Sequence, residues 1–215
     1  PTLGWGLMRA MRAVDAVHVR CPCTLGLLGV LLAPMAARRR VAKYAGQWEG
    51  YPGEPWSFRL QRRLLGSRWW GAPVTVYGAR PGEPPHVVPF FTSVLTEAQL
   101  ERARAAAARK VFDTPLKVLF TGRLTASKNV DVLLRAVARL RAEGLAIECA
   151  VVGDGPERAA LERLAGGCGI APQVHFTGGL PFERVLDYYE RCHVLALVSE
   201  TEGWPKSVAE AMADA

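Results

Sequence analysis

Two carboxylates, Glu202 and Glu210, stand in the run Ser199-Glu-Thr-Glu-Gly-Trp-Pro-Lys-Ser-Val-Ala-Glu. An ionised carboxylate only accepts hydrogen bonds, so a pair of them suits a hydroxyl-rich ligand that donates O–H groups. Their spacing straddles a strand-to-helix turn. His193 to Val198 is a short apolar run ending at a polar loop, which suits a buried parallel strand. Pro205 is tolerated in the first turn of a helix, and residues 207–213 are rich in helix formers. Glu202 then falls in the loop at the carboxyl end of a strand and Glu210 on the following helix. Ligands of open α/β sheets bind in that crevice. Taken alone, the pair would serve equally well as solvated surface charge, so its meaning depends on the neighbouring loops.

Three other loops carry their own polar signatures. Gly122-Arg123-Leu124, with Lys128 shortly after, follows the strand 117–121. Arginine offers planar two-point contacts to phosphate and lysine a flexible point charge, so the two form a diphosphate clamp or an ordinary solvated loop. Gly153-Asp154-Gly155-Pro156 follows the strand 147–152, and its glycines would let backbone approach a ligand closely. The dinucleotide fingerprint needs a further glycine where Arg158 stands, which argues against a hydride-carrier site. Gly178 closes the strand 173–177. No His, Asp or Glu cluster has metal-ligand spacing.

These loops need a sheet to hold them. In the second half, the four strands alternate with helices over 129–143, from 157 to about 165, over 182–191 and over 207–213. That rhythm predicts an α/β fold with a parallel, Rossmann-like sheet. The first half is less regular. A strand within 13–20 leads to an apolar helix over 24–37, with Arg38-Arg39-Arg40 at its carboxyl end. Next come a strand at 41–45, a loop at 46–57, a helix at 58–65, a strand at 74–77, a loop at 78–85 and an extended stretch at 86–91. Thr96-Glu97-Ala98-Gln99 has capping-box form and opens a helix to about Lys110. With the break at Asp113-Thr114-Pro115, it divides the chain into 1–95, a connecting helix and linker at 96–114, and 115–215.

Half of the 215 residues are hydrophobic and the net charge is +7, carried mainly by arginine, since lysine occurs only at Lys43, Lys110, Lys117, Lys128 and Lys206. That balance allows anionic partners such as phosphorylated metabolites or acidic lipid headgroups. Aromatic residues are not interleaved with the basic ones as in a single-strand-binding platform, which argues against nucleic acid. The longest apolar stretch, Thr24 to Ala37, contains Pro34 and is too short to span a bilayer. The five cysteines are scattered, and Cys21-Pro-Cys23 lacks the two-residue spacing of a zinc or redox motif, so reduced thiols in the cytosol are expected. His18, His86, His175 and His193 fall in or beside strands and read as packing residues.

In their order and spacing, Gly122-Arg123-Leu124 with Lys128, Val152-Gly153-Asp154-Gly155-Pro156, Phe176-Thr177-Gly178 and Ser199 through Glu202-Gly203 to Glu210-Ala211-Met212-Ala213 closely resemble the donor domain of the family-4 retaining glycosyltransferases. The resemblance runs from about Pro115 to the end. It implies the GT-B fold, with two Rossmann-like domains on parallel sheets, both incomplete in this chain. It also implies transfer of a sugar from a nucleotide-diphosphate sugar, with retention, no protein nucleophile and no cofactor or metal. Arg123 and Lys128 would bind the diphosphate and offset the charge developing on the leaving group. Glu202 would hold hydroxyls of the donor sugar and Glu210 those of the ribose. Gly122, Gly153, Asp154 and Gly178 would line the donor. Gly203, Trp204 and Lys206 would bring backbone amides near sugar and phosphate, and Pro205, which has no N–H to donate, would line the donor in the same stretch.

The acceptor implied is a sugar or lipid-linked molecule in polysaccharide or glycoconjugate assembly. The protein would then be cytoplasmic, with peripheral contact at the inner face of the membrane and no nucleic-acid partner. Two stretches depart from the pattern. Gly46-Gln47-Trp48 stands where many members place a sugar-contacting histidine, and Phe90-Phe91-Thr92-Ser93 where many have Asn-Gly-Val-Asp. The departures leave a second reading open, a degenerate module that binds nucleotide sugar without turnover. The chain reads as an internal fragment, expected to be inactive alone and to associate through the unpaired apolar edge at 193–198.

Overall fold

The computed structural model describes residues 2–78, 81–91 and 95–214. It divides into two units, one formed by residues 1–92 with 202–204 and the other by 93–201 with 205–215. Each holds a four-stranded, all-parallel sheet among the described residues.

The first unit runs α1 (Thr2–Arg12), β1 (Ala16–Cys21), α2 (Thr24–Ala36), β2 (Arg39–Gln47), α3 (Trp56–Leu65), β3 (Val74–Tyr77) and β4 (Val87–Pro89), with strand order β1-β2-β3-β4. Its core gathers Val19, Val30, Ala33, Ala42, Tyr44, Leu65, Trp70, Val74 and Val76. The glycines of α2 explain how that apolar helix lies so close to the sheet. A Cβ on Gly29 would stand 2.8 Å from the Val19 side chain.

Two features differ from expectation here. Helix α1 is not signalled by its sequence, because Gly4 and Gly6 weaken intrinsic helicity. It is held by tertiary packing, with Met11 in the core and Leu7 against it. Arg39 and Arg40 open β2 and do not cap α2. Arg40 is drawn there because its Nε donates to the Trp70 carbonyl at 2.8 Å and its guanidinium lies 5.6 Å from the Trp70 ring centroid. The expected loop at 46–57 shrinks accordingly, since β2 continues to Gln47 and α3 begins at Trp56.

The second unit runs α4 (Glu97–Ala107), β5 (Leu116–Thr121), α5 (Val130–Ala142), β6 (Ile147–Val152), α6 (Arg158–Gly167), β7 (Val174–Gly178), α7 (Phe182–Arg191), β8 (Val194–Leu195) and α8 (Lys206–Ala211). Strand order is β7-β6-β5-β8, so the chain winds outward from β5 and then crosses back to its other side. That reversal is the switch point at which open α/β sheets leave a crevice. Helices α5 and α6 cover one face through Leu133, Leu134, Val137, Leu161 and Ala165. Leu186 and Tyr189 of α7 join Leu119 and Val152 on the other face. Helix α4 carries the capping box at Thr96 and Gln99, and its Arg102 pairs with Asp187 at 2.8 Å and with Glu190 on α7.

Strand β8 is shorter than the apolar run 193–198. Its ladder bonds from His193 N to Lys117 O and from Ala196 N to Leu119 O are both 2.8 Å. Asn129 then takes the Val198 carbonyl through its Nδ2 at 3.2 Å, which turns the chain out of the sheet. Two histidines pack as expected. His86 Nε2 donates to the Leu65 carbonyl, and His193 Nδ1 accepts from Lys117 N. His18 and His175 are instead exposed, because strand alternation turns them away from the buried side chains beside them.

Candidate functional site

The loops leaving β5, β6 and β7 are tied to one another at the carboxyl edge of the second sheet. Gly122 N donates to Val152 O and Leu124 N to Asp154 O, both at 3.0 Å, and Gly153 N donates to Gly178 O at 2.9 Å. The glycines are what permits this. Gly153 adopts φ 139°, and a Cβ there would stand 1.9 Å from the Gly122 carbonyl oxygen. A Cβ on Gly155 would stand 2.3 Å from the Leu124 carbonyl oxygen. Leu124 is fully buried and pins the loop that carries the two basic residues.

Arg123, immediately before that anchor, is exposed, and among the described residues no hydrogen bond or ion pair holds its guanidinium. A free arginine at a sheet's ligand-binding edge can accept a diphosphate without first losing a partner. Lys128 closes a short 3-10 turn, Ala126–Lys128, and is half-buried. Asn129 follows in the left-handed region and begins α5. Asp154 has a local task as well, since its Oδ1 accepts from Gly155 N at 2.8 Å and so shapes the turn.

Glu210 is only 9% exposed, and among the described residues no cation pairs with it. Its Oε2 accepts from the Tyr189 hydroxyl at 2.8 Å, and that hydroxyl lies 3.0 Å from Thr121 Oγ1. Burial pushes the Tyr189 phenol well above its ordinary pKa, so it stays a donor at neutral pH. Thr121 is the last residue of β5, directly before Gly122 and Arg123. The sequence reading missed Tyr189 and Thr121. A signal for Tyr189 existed: it lies three residues after Leu186 on the buried side of α7, and a buried tyrosine needs a partner for its hydroxyl.

The loop after β8 is fastened to the loop after β5, with Glu200 N donating to Ser127 O at 3.1 Å. Ser199 Oγ is buried there and has no hydrogen-bond partner among the described residues. Beyond it the expected site residues divide. Pro205, Lys206 and Glu210 belong to the second unit with Gly122, Arg123, Lys128, Gly153, Asp154 and Gly178, whereas Glu202, Gly203 and Trp204 group with the first. Within the first unit, Trp204 stacks on Tyr77 with ring centroids 6.2 Å apart. Of the stretch Phe90–Ser93, Thr92 and Ser93 lie outside the described residues. Helix α8 spans six residues, too short for the dipole at its start to add much to anion binding. Among the described residues, no group of three His, Cys, Asp or Glu side chains could hold a metal ion, and no helix is long and apolar enough to cross a membrane.

The sequence profile of the family described as "Glycosyl transferases group 1" matches residues 101–214. A GDP-mannose-dependent alpha-(1-6)-phosphatidylinositol monomannoside mannosyltransferase of Mycolicibacterium smegmatis is 28% identical over 203 residues, covering 88% of this chain and 52% of the relative. A D-inositol 3-phosphate glycosyltransferase of Catenulispora acidiphila is 35% identical over 158 residues, covering 65% of this chain and 35% of that protein. The chain thus spans about half, or less, of the length of these relatives. Among solved structures, HepE of Anabaena in complex with UDP and glucose superposes with a TM-score of 0.66 at 17% identity, covering 99% of this chain and 60% of that one. Sucrose-phosphate synthase of Thermosynechococcus elongatus gives 0.66 at 19%, covering 98% and 56%. With two parallel Rossmann-like sheets of the GT-B kind and more than half of its residues matched, the chain belongs to the group 1 glycosyl transferase family.

Proposed function

We propose that the full-length protein is a glycosyltransferase that moves a sugar, with retention, from a nucleotide-diphosphate sugar to a hydroxyl acceptor. The observation that carries this is the pairing of two groups in the second unit. Among the described residues, one is an exposed Arg123 whose guanidinium no side chain or carbonyl holds, and the other a nearly buried Glu210 that no cation meets. A carboxylate removed from water is costly unless donors meet it, and a ribose diol supplies two. Arg123, with Lys128, takes the diphosphate and offsets the charge that grows on it as the glycosidic bond breaks. Gly122, Gly153, Asp154 and Gly178 line the donor with closely approaching backbone. Glu202 holds hydroxyls of the donor sugar, with Gly203, Trp204, Pro205 and Lys206 supplying contacts beside it. Neither glutamate acts as nucleophile.

The relatives' names support the donor class, naming GDP-mannose for the Mycolicibacterium enzyme, while HepE was crystallised with UDP and glucose. The acceptor belongs to polysaccharide or glycoconjugate assembly, and the protein works in the cytoplasm with peripheral contact to anionic lipid. Transfer needs no resident metal, so activity survives a chelator. The test is transfer by the full-length protein. Arg123→Ala and Glu202→Ala each abolish it, with nucleotide affinity falling more in the first, and NMR of the product shows the donor's anomeric configuration. Full activity in either variant refutes the assignment. A second reading, a binding module without turnover, is favoured by Gly46-Gln47-Trp48. Trp48 there is buried, with its Nε1 donating to Glu83 Oε1 at 2.9 Å. Donor binding without transfer or hydrolysis selects that reading.

A further inference from the structure

We infer that Tyr189 is a positioning residue for the nucleotide's ribose: its buried hydroxyl fixes one oxygen of Glu210 and leaves the other for the sugar diol. The inference rests on the reading of Glu210 given above and adds the group that orients it.

Glu210 sits on a six-residue helix, a weak platform for a carboxylate that must meet a ligand in one orientation. Tyr189 lies on the ten-residue α7 and is completely buried, with the Lys110 Nζ donating to its carbonyl at 3.3 Å. The direction of the hydrogen bonds follows from what each group can do. A carboxylate only accepts, so the phenol must spend its single proton on Glu210 Oε2, 2.8 Å away. Thr121, 3.0 Å from the phenol oxygen, is then the donor to it. The order is Thr121 O–H to Tyr189 O–H to Glu210. Oε1 of Glu210 takes no bond among the described residues and stands ready for ligand hydroxyls.

The relay also joins the two halves of the proposed donor site. Thr121 ends the strand from which Gly122 and Arg123 depart, and Glu210 is the ribose carboxylate. One phenol therefore sets the ribose acceptor in register with the diphosphate clamp. Burial holds that phenol protonated well past neutral pH, so the relay does not switch in the working range.

A purely structural tyrosine would alter affinity for every nucleotide equally, whereas a positioning one alters the reward for particular ribose hydroxyls. The test is calorimetry on the full-length protein with UDP, GDP and ADP. The nucleotide that binds is then compared with its 2′-deoxy and 3′-deoxy counterparts. In the wild type, loss of the hydroxyl held by Glu210 is expected to weaken binding about tenfold, the usual worth of a hydrogen bond to a charged group. Glu210→Ala abolishes that ratio. Tyr189→Phe, which keeps the ring and loses the donor, cuts it to about threefold or less. The deoxynucleotide's own affinity changes little. Thr121→Val moves the ratio the same way, and it carries the test if Tyr189→Phe lacks a cooperative melt. A wild-type ratio in Tyr189→Phe, or in Thr121→Val if that carries the test, with the ratio lost in Glu210→Ala, overturns the inference alone. A wild-type ratio in Glu210→Ala, or no binding of any of the three nucleotides, overturns the reading of the site and the inference with it.

Discussion

Replacing Gly153 with alanine separates two costs that the loop architecture combines. The residue holds φ 139°, and its Cβ would stand 1.9 Å from the Gly122 carbonyl oxygen. Backbone there cannot rotate aside as a side chain can, so the β5 and β6 loops would have to part by about 1 Å or more to restore van der Waals contact. Two other glycines calibrate the effect. Gly179 lies on the same edge, and among the described residues nothing comes within 4 Å of a Cβ there, so Gly179→Ala is expected to change stability by less than about 0.5 kcal/mol. Gly144, after α5, has φ 93° and open space around it, so Gly144→Ala registers backbone strain alone, about 1–2 kcal/mol. Gly153→Ala adds overpacking of about 1–3 kcal/mol, for a total of about 2–5 kcal/mol. Urea melts of the full-length variants read this as a fall in midpoint at constant slope, and nucleotide binding weakens with it as Arg123 is displaced. If Gly153→Ala costs no more than Gly144→Ala, the close approach of the two loops is refuted.

Other expectations follow from the packing around the site. Leu124→Ala empties a fully buried position beneath the basic loop and is expected to cost about 2–5 kcal/mol in urea melts. A loss under about 1 kcal/mol would mean that Leu124 does not anchor the loop. Arg102 holds the Asp187 carboxyl below its ordinary pKa through a hydrogen bond. A depressed carboxylate contributes stability above its unfolded value, near about pH 4, and loses it as pH falls through the folded value. Once the intrinsic pH dependence of amide exchange is divided out, protection over 97–107 should therefore fall on acidification, and an Asp187→Asn variant should lose that fall. Burial pushes the Cys21 and Cys149 thiols up to about 12. Both should resist iodoacetamide at pH 8 until the protein unfolds, as read by peptide mass spectrometry, and rapid native labelling of Cys149 would contradict the packing of β6.

The second sheet was legible in the sequence because its strands are short stretches rich in apolar residues, each closed by glycine or a polar loop. Each helix between them repeats apolar residues with the period shown by Val130, Leu133, Leu134 and Val137. What escaped was decided by tertiary contacts. Helix α1 forms despite Gly4 and Gly6 because Met11 finds the core. Arg40 leaves the helix end for the ring of Trp70, and β8 stops early because Asn129 captures Val198 O. The positions of Gly122, Arg123, Gly153 and Gly178 at one sheet edge were readable from strand and turn chemistry. For Tyr189 the spacing from Leu186 signals burial, but its role does not show in the sequence, because it depends on a neighbour 21 residues away, at Glu210, and on the end of β5. Local pattern names the loops, but the partners behind them appear only once the chain is folded.

The most direct measurement is titration calorimetry of the full-length protein, wild type beside Arg123→Ala, against a panel of UDP-, GDP- and ADP-sugars. One nucleotide sugar should bind the wild type, and its affinity should fall by about tenfold to a hundredfold in Arg123→Ala, as loss of a charge-assisted phosphate contact requires. No binding across the panel, or equal affinity in both proteins, would contradict the donor site.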